Sequence, residues 1–255
     1  MTLAEPDNSS RPIAASAQYD TVGEKYAAFK RRHVPVPEEH TVRRLLRDIR
    51  GARVLDLACG FGHYTRLVKE LGAATAAGVD ISGEMVALAR RAESEEPRGI
   101  TYHVHDVARM PCLGSFDVAT AVWLFNYASS IHEMTRMFRG IRTNLTPGGR
   151  LVAVTVGPDF DPYGPSWEPY GLRVMAAETL QRKTDLSVQI LTDPPTELRF
   201  TRWDRQAYEE SAGAAGFTEL TWHPAMIPEG VVKAKGESFW AVYRANPFLV
   251  AFECS

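Results

Sequence analysis

The sequence predicts an α/β fold, a mostly parallel sheet wound with helices on both faces. Three observations carry it. Apolar runs of strand length alternate with amphipathic helical runs between residues 52 and 156. A glycine-rich turn, Cys59-Gly60-Phe61-Gly62, joins the first of these strands to the helix after it. Acidic residues, Asp80 and Asp106, stand at the ends of the next two strands.

The elements follow in chain order. Residues 1–17 are polar, carry Pro and Ser and lack periodicity, so a loose arm is expected there. Residues 18–50 are expected to form an N-terminal helical cap. Tyr19, Val22, Tyr26 and Phe29 recur at helical spacing over 19–30, and a second helix is expected near 38–49, after Pro35 and Pro37. Strands are expected at 52–58, 75–82, 100–107, 116–127 and 150–156. The helix over 63–72 is closed by Gly72, and Ser82 caps the helix that follows it. The helix over 131–145 is expected to end at Thr146-Pro147-Gly148-Gly149. After Val156 the pattern breaks. Residues 157–171 are rich in Pro, Gly and aromatics, and strands at 186–191 and 197–203 flank the turn Asp193-Pro194-Pro195. Residues 157–203 therefore read as an insertion, a lid on one side of the sheet. A helix from Asp204 to Gly216, strands at 217–223 and 248–254, and a helix near 237–245 complete residues 51–255.

Composition narrows the classes. The 255 residues are 45% hydrophobic and 24% charged, ordinary for a globular chain with a sizeable core. The net charge of −2 argues against a nucleic-acid surface driven by bulk positive charge. Three isolated cysteines, Cys59, Cys112 and Cys254, have neither metal-ligand nor disulfide-framework spacing, so no metal is expected. No apolar run reaches the roughly 18–20 residues of a membrane span, and the N-terminus lacks a signal-peptide pattern. A cytoplasmic protein without a membrane or nucleic-acid partner is expected; the oligomeric state is not legible.

The glycine turn requires a backbone that bends sharply and lets a ligand approach without a Cβ in the way. Asp80, at the end of the second strand, suits a ribose diol, and Asp106 is placed to accept from an adenine amino group. The loop runs Asp56-Leu57-Ala58-Cys59-Gly60-Phe61-Gly62, led by an acid and without the third glycine of a dinucleotide fingerprint. An acid there repels phosphate and suits a cationic amino group. The pattern favours an adenosine ligand bearing an amino acid.

With VLDLACGFG, GVDIS followed by EM, the HDV aspartate, FDVATAVW and LTPGGRL, the chain resembles the class I S-adenosylmethionine-dependent methyltransferases over roughly 50–156. The segments YDTVGEKYAAF, FNYA and EPYG resemble bacterial small-molecule methyltransferases of secondary metabolism, of the toxoflavin-synthase-like group. The resemblance implies a Rossmann-like, seven-stranded sheet whose last strand is antiparallel, and S-adenosylmethionine as cofactor. It implies that Asp56 and the backbone of Ala58 and Gly60 meet the methionyl end, and that Asp80 holds the ribose. Ile81 and Met85 would sandwich the adenine, with Asp106 and Val107 at its edge. Ala121 and Val122, after the fourth strand, would accept from the amino group. Tyr19, Tyr26 and Phe29 would close the pocket, though simple helix packing explains them equally well. Ala58 departs from the glycine common at its position, which questions the need for a positive φ there.

Methyl transfer from a sulfonium needs alignment and exclusion of water, and a base only where the acceptor must lose a proton. Trp123, Asn126 and Tyr127 lie past the cofactor strand, and Tyr163, Trp167, Glu168 and Tyr170 lie in the lid. All seven are substrate-side candidates, with Tyr127, Glu168 and His223 as candidate catalytic groups. Glu168 would gain basicity from partial desolvation. A lone histidine such as His132 or His223 is more often a satisfied surface residue. Arg199 and Arg202, with Arg205 nearby, offer an anion clamp; a solvated strand edge is the plainer explanation. The expected function is methyl transfer to N, O or C of a small molecule in bacterial secondary metabolism. Carbon methylation of a prenyl diphosphate is one alternative. A nicotinamide-dependent oxidoreductase and a non-catalytic adenosine-binding protein are alternatives of other classes.

Overall fold

The computed structural model describes residues 36–255. The expected arm and the helix over 19–30, with Tyr19, Tyr26 and Phe29, lie outside the described residues.

Seven strands form one sheet in the order β3-β2-β1-β4-β5-β10-β9. The first five are β1 (Arg53–Leu57), β2 (Thr75–Asp80), β3 (Ile100–Val104), β4 (Phe116–Val122) and β5 (Leu145–Val156), all parallel. β9 (Leu220–Pro224) and β5 both pair antiparallel with β10 (Leu249–Cys254), so the last strand alone is reversed, as the resemblance implies. Helices α1 (Val36–Leu45), α2 (His63–Glu70) and α3 (Gly83–Glu95) contribute to one buried cluster with Val54, Val118 and Val122. Helices α4 (Ile131–Thr143) and α5 (Arg205–Ala214) cover the other face, against Leu55, Leu57, Ala119 and Ala121. The side-chain period of two sends neighbouring residues of β1 and β4 to opposite cores, so both strands are almost wholly apolar. β1 and β4 are neighbours, while β2 and β3 continue from the other side of β1. The strand order thus reverses at β1/β4, where an open α/β sheet forms its crevice.

Local chemistry accounts for the helix starts. The side chains of Ser82, Ser130 and Asp204 accept from the backbone N–H three residues on, capping α3, α4 and α5. Two expected boundaries move. Pairing in β5 begins at Leu145, with a register shift opposite Phe116/Val118, so Thr146–Gly149 belongs to an irregular strand start and not to a helix stop. The second expected helix spans Val36–Leu45, shorter than 38–49 at its C-terminal end.

Within residues 157–203 the chain forms a separate three-stranded antiparallel sheet, β6 (Leu172–Leu180), β7 (Lys183–Ile190) and β8 (Thr196–Trp203). β7 and β8 coincide with the expected strands; β6 was not expected. Its residues are mostly exposed and its sequence LRVMAAETL holds Ala and Glu, poor strand formers. Pairing with β7 overrides that propensity. Helices α6 (Glu229–Lys235) and α7 (Glu237–Ala245) follow β9, and the small sheet packs against α7 through Leu186, Val188, Phe200, Trp240, Tyr243 and Phe248. No helix among the described residues is long and apolar enough to cross a membrane.

Candidate functional site

The crevice floor is built on Asp56. It lies on β1 opposite Thr120 of β4, on the same sheet face. Thr120 Oγ1 donates to Oδ1 at 2.7 Å and Thr65 Oγ1, from α2, donates to Oδ2 at 2.6 Å. Asp56 is 1% exposed. Burial pushes its carboxyl up to about 6, against the two threonine hydrogen bonds that hold it down. The carboxylate is therefore enclosed beneath the glycine turn. It does not stand open at the crevice, as contact with a methionyl group requires, and its charge reaches the crevice as a field.

Above it the turn is strained where the sequence made strain look unnecessary. Ala58 has φ 53, so the left-handed conformation persists despite its Cβ. Gly60, φ 54, has no heavy atom of the described residues within 4 Å of where a Cβ would stand. Its N–H donates to Asp80 Oδ2 at 2.8 Å, and Ser82 N–H donates to Oδ1 at 2.9 Å. One carboxylate thus ties the glycine turn to the start of α3. The open cradle over Gly60 and an acid at the strand end suit a nucleoside carrying an amino-acid thioether, and Asp106 and Ile81 extend the same edge.

Ile81 is 41% exposed and available to a planar ring. Met85 is not its open counterpart, because it is buried in a cluster with Phe61 and Leu88. β3 ends at Val104, so Asp106 lies two residues beyond it, and its Oδ1 accepts from Ala108 N–H at 2.9 Å. Val107 is buried beside α4, where its carbonyl leaves no room for a Cβ on Gly140. Ala121 and Val122 lie inside β4 and not after it: Ala121 pairs with Leu57 on one side and with Ala153 on the other. The residue that leaves the strand is Trp123, at φ 63.

Trp123 exposes a constellation that sequence reasoning missed. Its Nε1–H donates to Glu38 Oε2 at 3.0 Å, and Tyr64 O–H donates to Glu38 Oε1 at 2.9 Å. Glu38, 1% exposed on α1, is joined to a residue 85 positions away. An acid near a helix start reads as ordinary dipole chemistry, and no local signal marks it as buried. The Trp123 ring stacks on Phe200 of β8 (6.2 Å between centroids) and lies 5.9 Å from Phe248. Tyr127 meets the same Phe200 edge-on at 5.8 Å. An aromatic wall therefore joins the β4 exit to the small sheet. Between them, on the 3₁₀ turn Phe125–Tyr127, Asn126 is 0% exposed and neither its Oδ1 nor its Nδ2 has a partner among the described residues. Each unmade bond at a buried amide costs about 1–3 kcal/mol.

The other expected substrate and catalytic groups are redistributed. Tyr163 is 79% exposed and gives its hydroxyl to the Ala177 carbonyl. Trp167 is buried, its Nε1–H on the Asn246 carbonyl at 2.7 Å, and the Tyr170 hydroxyl bridges the Phe239 carbonyl and Tyr243 N–H. Both are packing residues between the small sheet and α7. Glu168 forms a bidentate pair with Arg173, which pulls its carboxyl below the usual range, so it loses the basicity expected of it. His223 Nε2 lies 2.9 Å from Glu253 Oε2, and Glu253 also holds Arg150. Glu253 pairs with Val152 and Thr221, and His223 lies on the edge strand β9, three strands from β4.

No arginine clamp forms. Arg202 donates to the carbonyls of Pro158 (3.1 Å) and Phe160 (2.7 Å) and to Thr184 Oγ1 (2.7 Å). Arg205 pairs with Asp159 and lies over Trp222. Arg199 is exposed, on the opposite face of β8 from buried Leu198 and Phe200.

Comparison with known proteins identifies relatives of the chain. Residues 54–149 match the family model described as a methyltransferase domain. The chain is similar to the ubiquinone biosynthesis O-methyltransferases of Xanthomonas oryzae pv. oryzae, 27% identical over 190 residues, and Xanthomonas euvesicatoria pv. vesicatoria, 28% identical over 192 residues. Each match covers 74% of either chain. Among solved structures, an S-adenosylmethionine dependent methyltransferase from Mesorhizobium loti aligns with a TM-score of 0.64 at 22% identity, over 87% of this chain and 98% of that one. The CcbJ methyltransferase from Streptomyces caelestis aligns with a TM-score of 0.61 at 16% identity, over 94% of this chain and 97% of that one. The fold is that of the class I methyltransferases. The protein is an S-adenosylmethionine-dependent methyltransferase, and residues 54–149 carry its match to the methyltransferase-domain model.

Proposed function

We propose that this enzyme methylates a hydroxyl group of a small aromatic molecule. The observation that carries the reading is the aromatic wall of Trp123, Tyr127, Phe200 and Phe248 where the β4 exit meets the small sheet. The naming of its curated relatives as O-methyltransferases supports oxygen as the acceptor atom. The flanking resemblance keeps bacterial secondary metabolism as the setting of this reading, with residues 157–203 acting as the lid.

When bound, S-adenosylmethionine supplies a methyl group on a sulfonium, so transfer depends on alignment and a dry site more than on a strong base. The chain's own residues divide that task. The open backbone at Ala58 and Gly60 receives the methionyl end, with the enclosed charge of Asp56 below its ammonium. Asp80 holds the ribose while still bonded to Gly60 and Ser82. Ile81 covers the adenine and Asp106 meets its edge. Trp123, Tyr127 and Phe200 exclude water and present ring faces to the positive charge. Among the described candidates, Glu168 and His223 are held by Arg173 and Glu253, and neither is assigned the role of base. The phenolic proton, of pKa near 10, passes to bulk solvent outside the dry site, before the ring is enclosed. The prenyl diphosphate alternative loses its support with the clamp, because Arg202 and Arg205 are already engaged.

The test has two parts: calorimetry with S-adenosylhomocysteine, and transfer from methyl-labelled S-adenosylmethionine to phenols, catechols, amines and a prenyl diphosphate. Micromolar binding with label on a phenol or catechol is expected. Label on amines or the diphosphate alone overturns the reading.

A further inference from the structure

Asn126 is a described residue both of whose side-chain polar atoms the fold leaves unused. Its whole side-chain amide is buried and unpartnered, although buried polar groups almost always find partners. Its position adds a second, independent argument. On a 3₁₀ turn successive side chains point about 120° apart. Phe125 points to the α4 core, its ring stacked on Phe138 at 4.3 Å. Tyr127 points to the small sheet, against Phe200. Asn126 takes the third direction, three residues past strained Trp123 at the carboxyl end of β4.

We propose that Asn126 is the specificity-determining residue for the methyl acceptor. Its carbonyl accepts from the acceptor's hydroxyl and its amino group donates to an adjacent oxygen on the same ring. An amide offers both roles at one point, so the matching ligand is an aromatic bearing two neighbouring oxygens, such as a catechol or a hydroxyl beside a methoxy group. A ligand without the second oxygen leaves one buried polar atom unmet and is discriminated against accordingly. The inference rests on the hydroxyl-acceptor reading above.

The test uses the full chain and two variants, Asn126→Leu and Asn126→Ser. Thermal midpoint, S-adenosylhomocysteine affinity, and kcat and KM are measured with catechol and phenol as probes. The wild type is expected to prefer catechol over phenol at least tenfold in kcat/KM. Asn126→Leu is expected to melt no lower than the wild type, to bind S-adenosylhomocysteine within twofold, and to lose most of that preference. Asn126→Ser, which keeps a small donor and acceptor, is expected to retain an intermediate preference and serves if the leucine variant does not fold. Several outcomes overturn the proposal. Lower midpoints in both variants with the preference intact assign the amide to a buried water. A tenfold loss of S-adenosylhomocysteine affinity assigns it to the cofactor. An unchanged preference removes its role in specificity. Wild-type protein that binds S-adenosylhomocysteine but methylates neither probe overturns the hydroxyl-acceptor reading itself, and this inference falls with it.

Discussion

At Asp56 the charge of the side chain and the position it occupies oppose each other. Two threonine hydroxyls stabilise the carboxylate, yet burial dominates and its pKa rises from 3.8 to about 6. The native state then holds the proton more tightly than the unfolded chain. Stability contributed by the protonated form is fully present below about pH 4 and is lost as pH rises through 6, by about 3 kcal/mol in all. Asp56→Asn keeps an acceptor for one threonine and removes the charge. Urea midpoints of the wild type are expected to fall between pH 4 and pH 6 from this source, and those of the variant to lack that component. An identical pH dependence in both proteins would show that Asp56 is already solvated. The identity of this acid was legible in the sequence; its enclosure was not, because Thr65 and Thr120 meet it only after α2 and β4 are in place. Ala58 teaches the same lesson, since composition favoured an ordinary φ and the turn imposes 53.

Among the elements, the large sheet was legible throughout, its edge strands β3 and β9 included. β1, β2, β4 and β5 lie in the sheet interior, where apolar runs are obligatory, and all four were recognisable. β6 is an edge strand with little buried surface, so nothing in its composition had to announce it. Connections between elements depend on close backbone approach, which glycine alone permits. At Gly157, just past β5, a Cβ would lie 2.1 Å from the Pro247 carbonyl oxygen, and its N–H donates to the Phe248 carbonyl at 2.7 Å. Gly213, inside α5, has nothing within 4 Å and no positive φ. Gly157→Ala is therefore expected to cost at least 1–3 kcal/mol, roughly the scale of an overpacked core. Gly213→Ala is expected to add up to about 1 kcal/mol through helix propensity. Chemical denaturation of the pair checks both signs.

At the scale of the whole molecule, Arg202 holds the chain just past β5 to the small sheet. Its three hydrogen bonds fasten residues 158–160 to β8 and to Thr184. Arg202→Ala should lose about 1.5–3 kcal/mol of charge-assisted bonding. That corresponds to a thermal midpoint lower by several degrees, at roughly 2–4 °C per kcal/mol for a chain of this size. Faster proteolytic cleavage within 157–203 is expected, with S-adenosylhomocysteine affinity held within twofold; a parallel loss of affinity would mean that the two sheets respond as one unit. The amino-acid sequence determined the order of strands and helices, the glycine turn with its acids at successive strand ends, and through them the cofactor. These are local patterns, fixed by side-chain period and by the backbone freedom of a few glycines. Tertiary structure decided which polar side chains are left for chemistry. Glu168, Arg202 and His223 looked available in the chain and are each consumed by a partner, Arg173, the 158–160 carbonyls and Glu253. Asn126, a substrate-side candidate from the sequence, is buried with no bonding partner among the described residues. Whether a polar group is satisfied depends on neighbours distant in sequence, and only the folded chain brings those neighbours within hydrogen-bond reach.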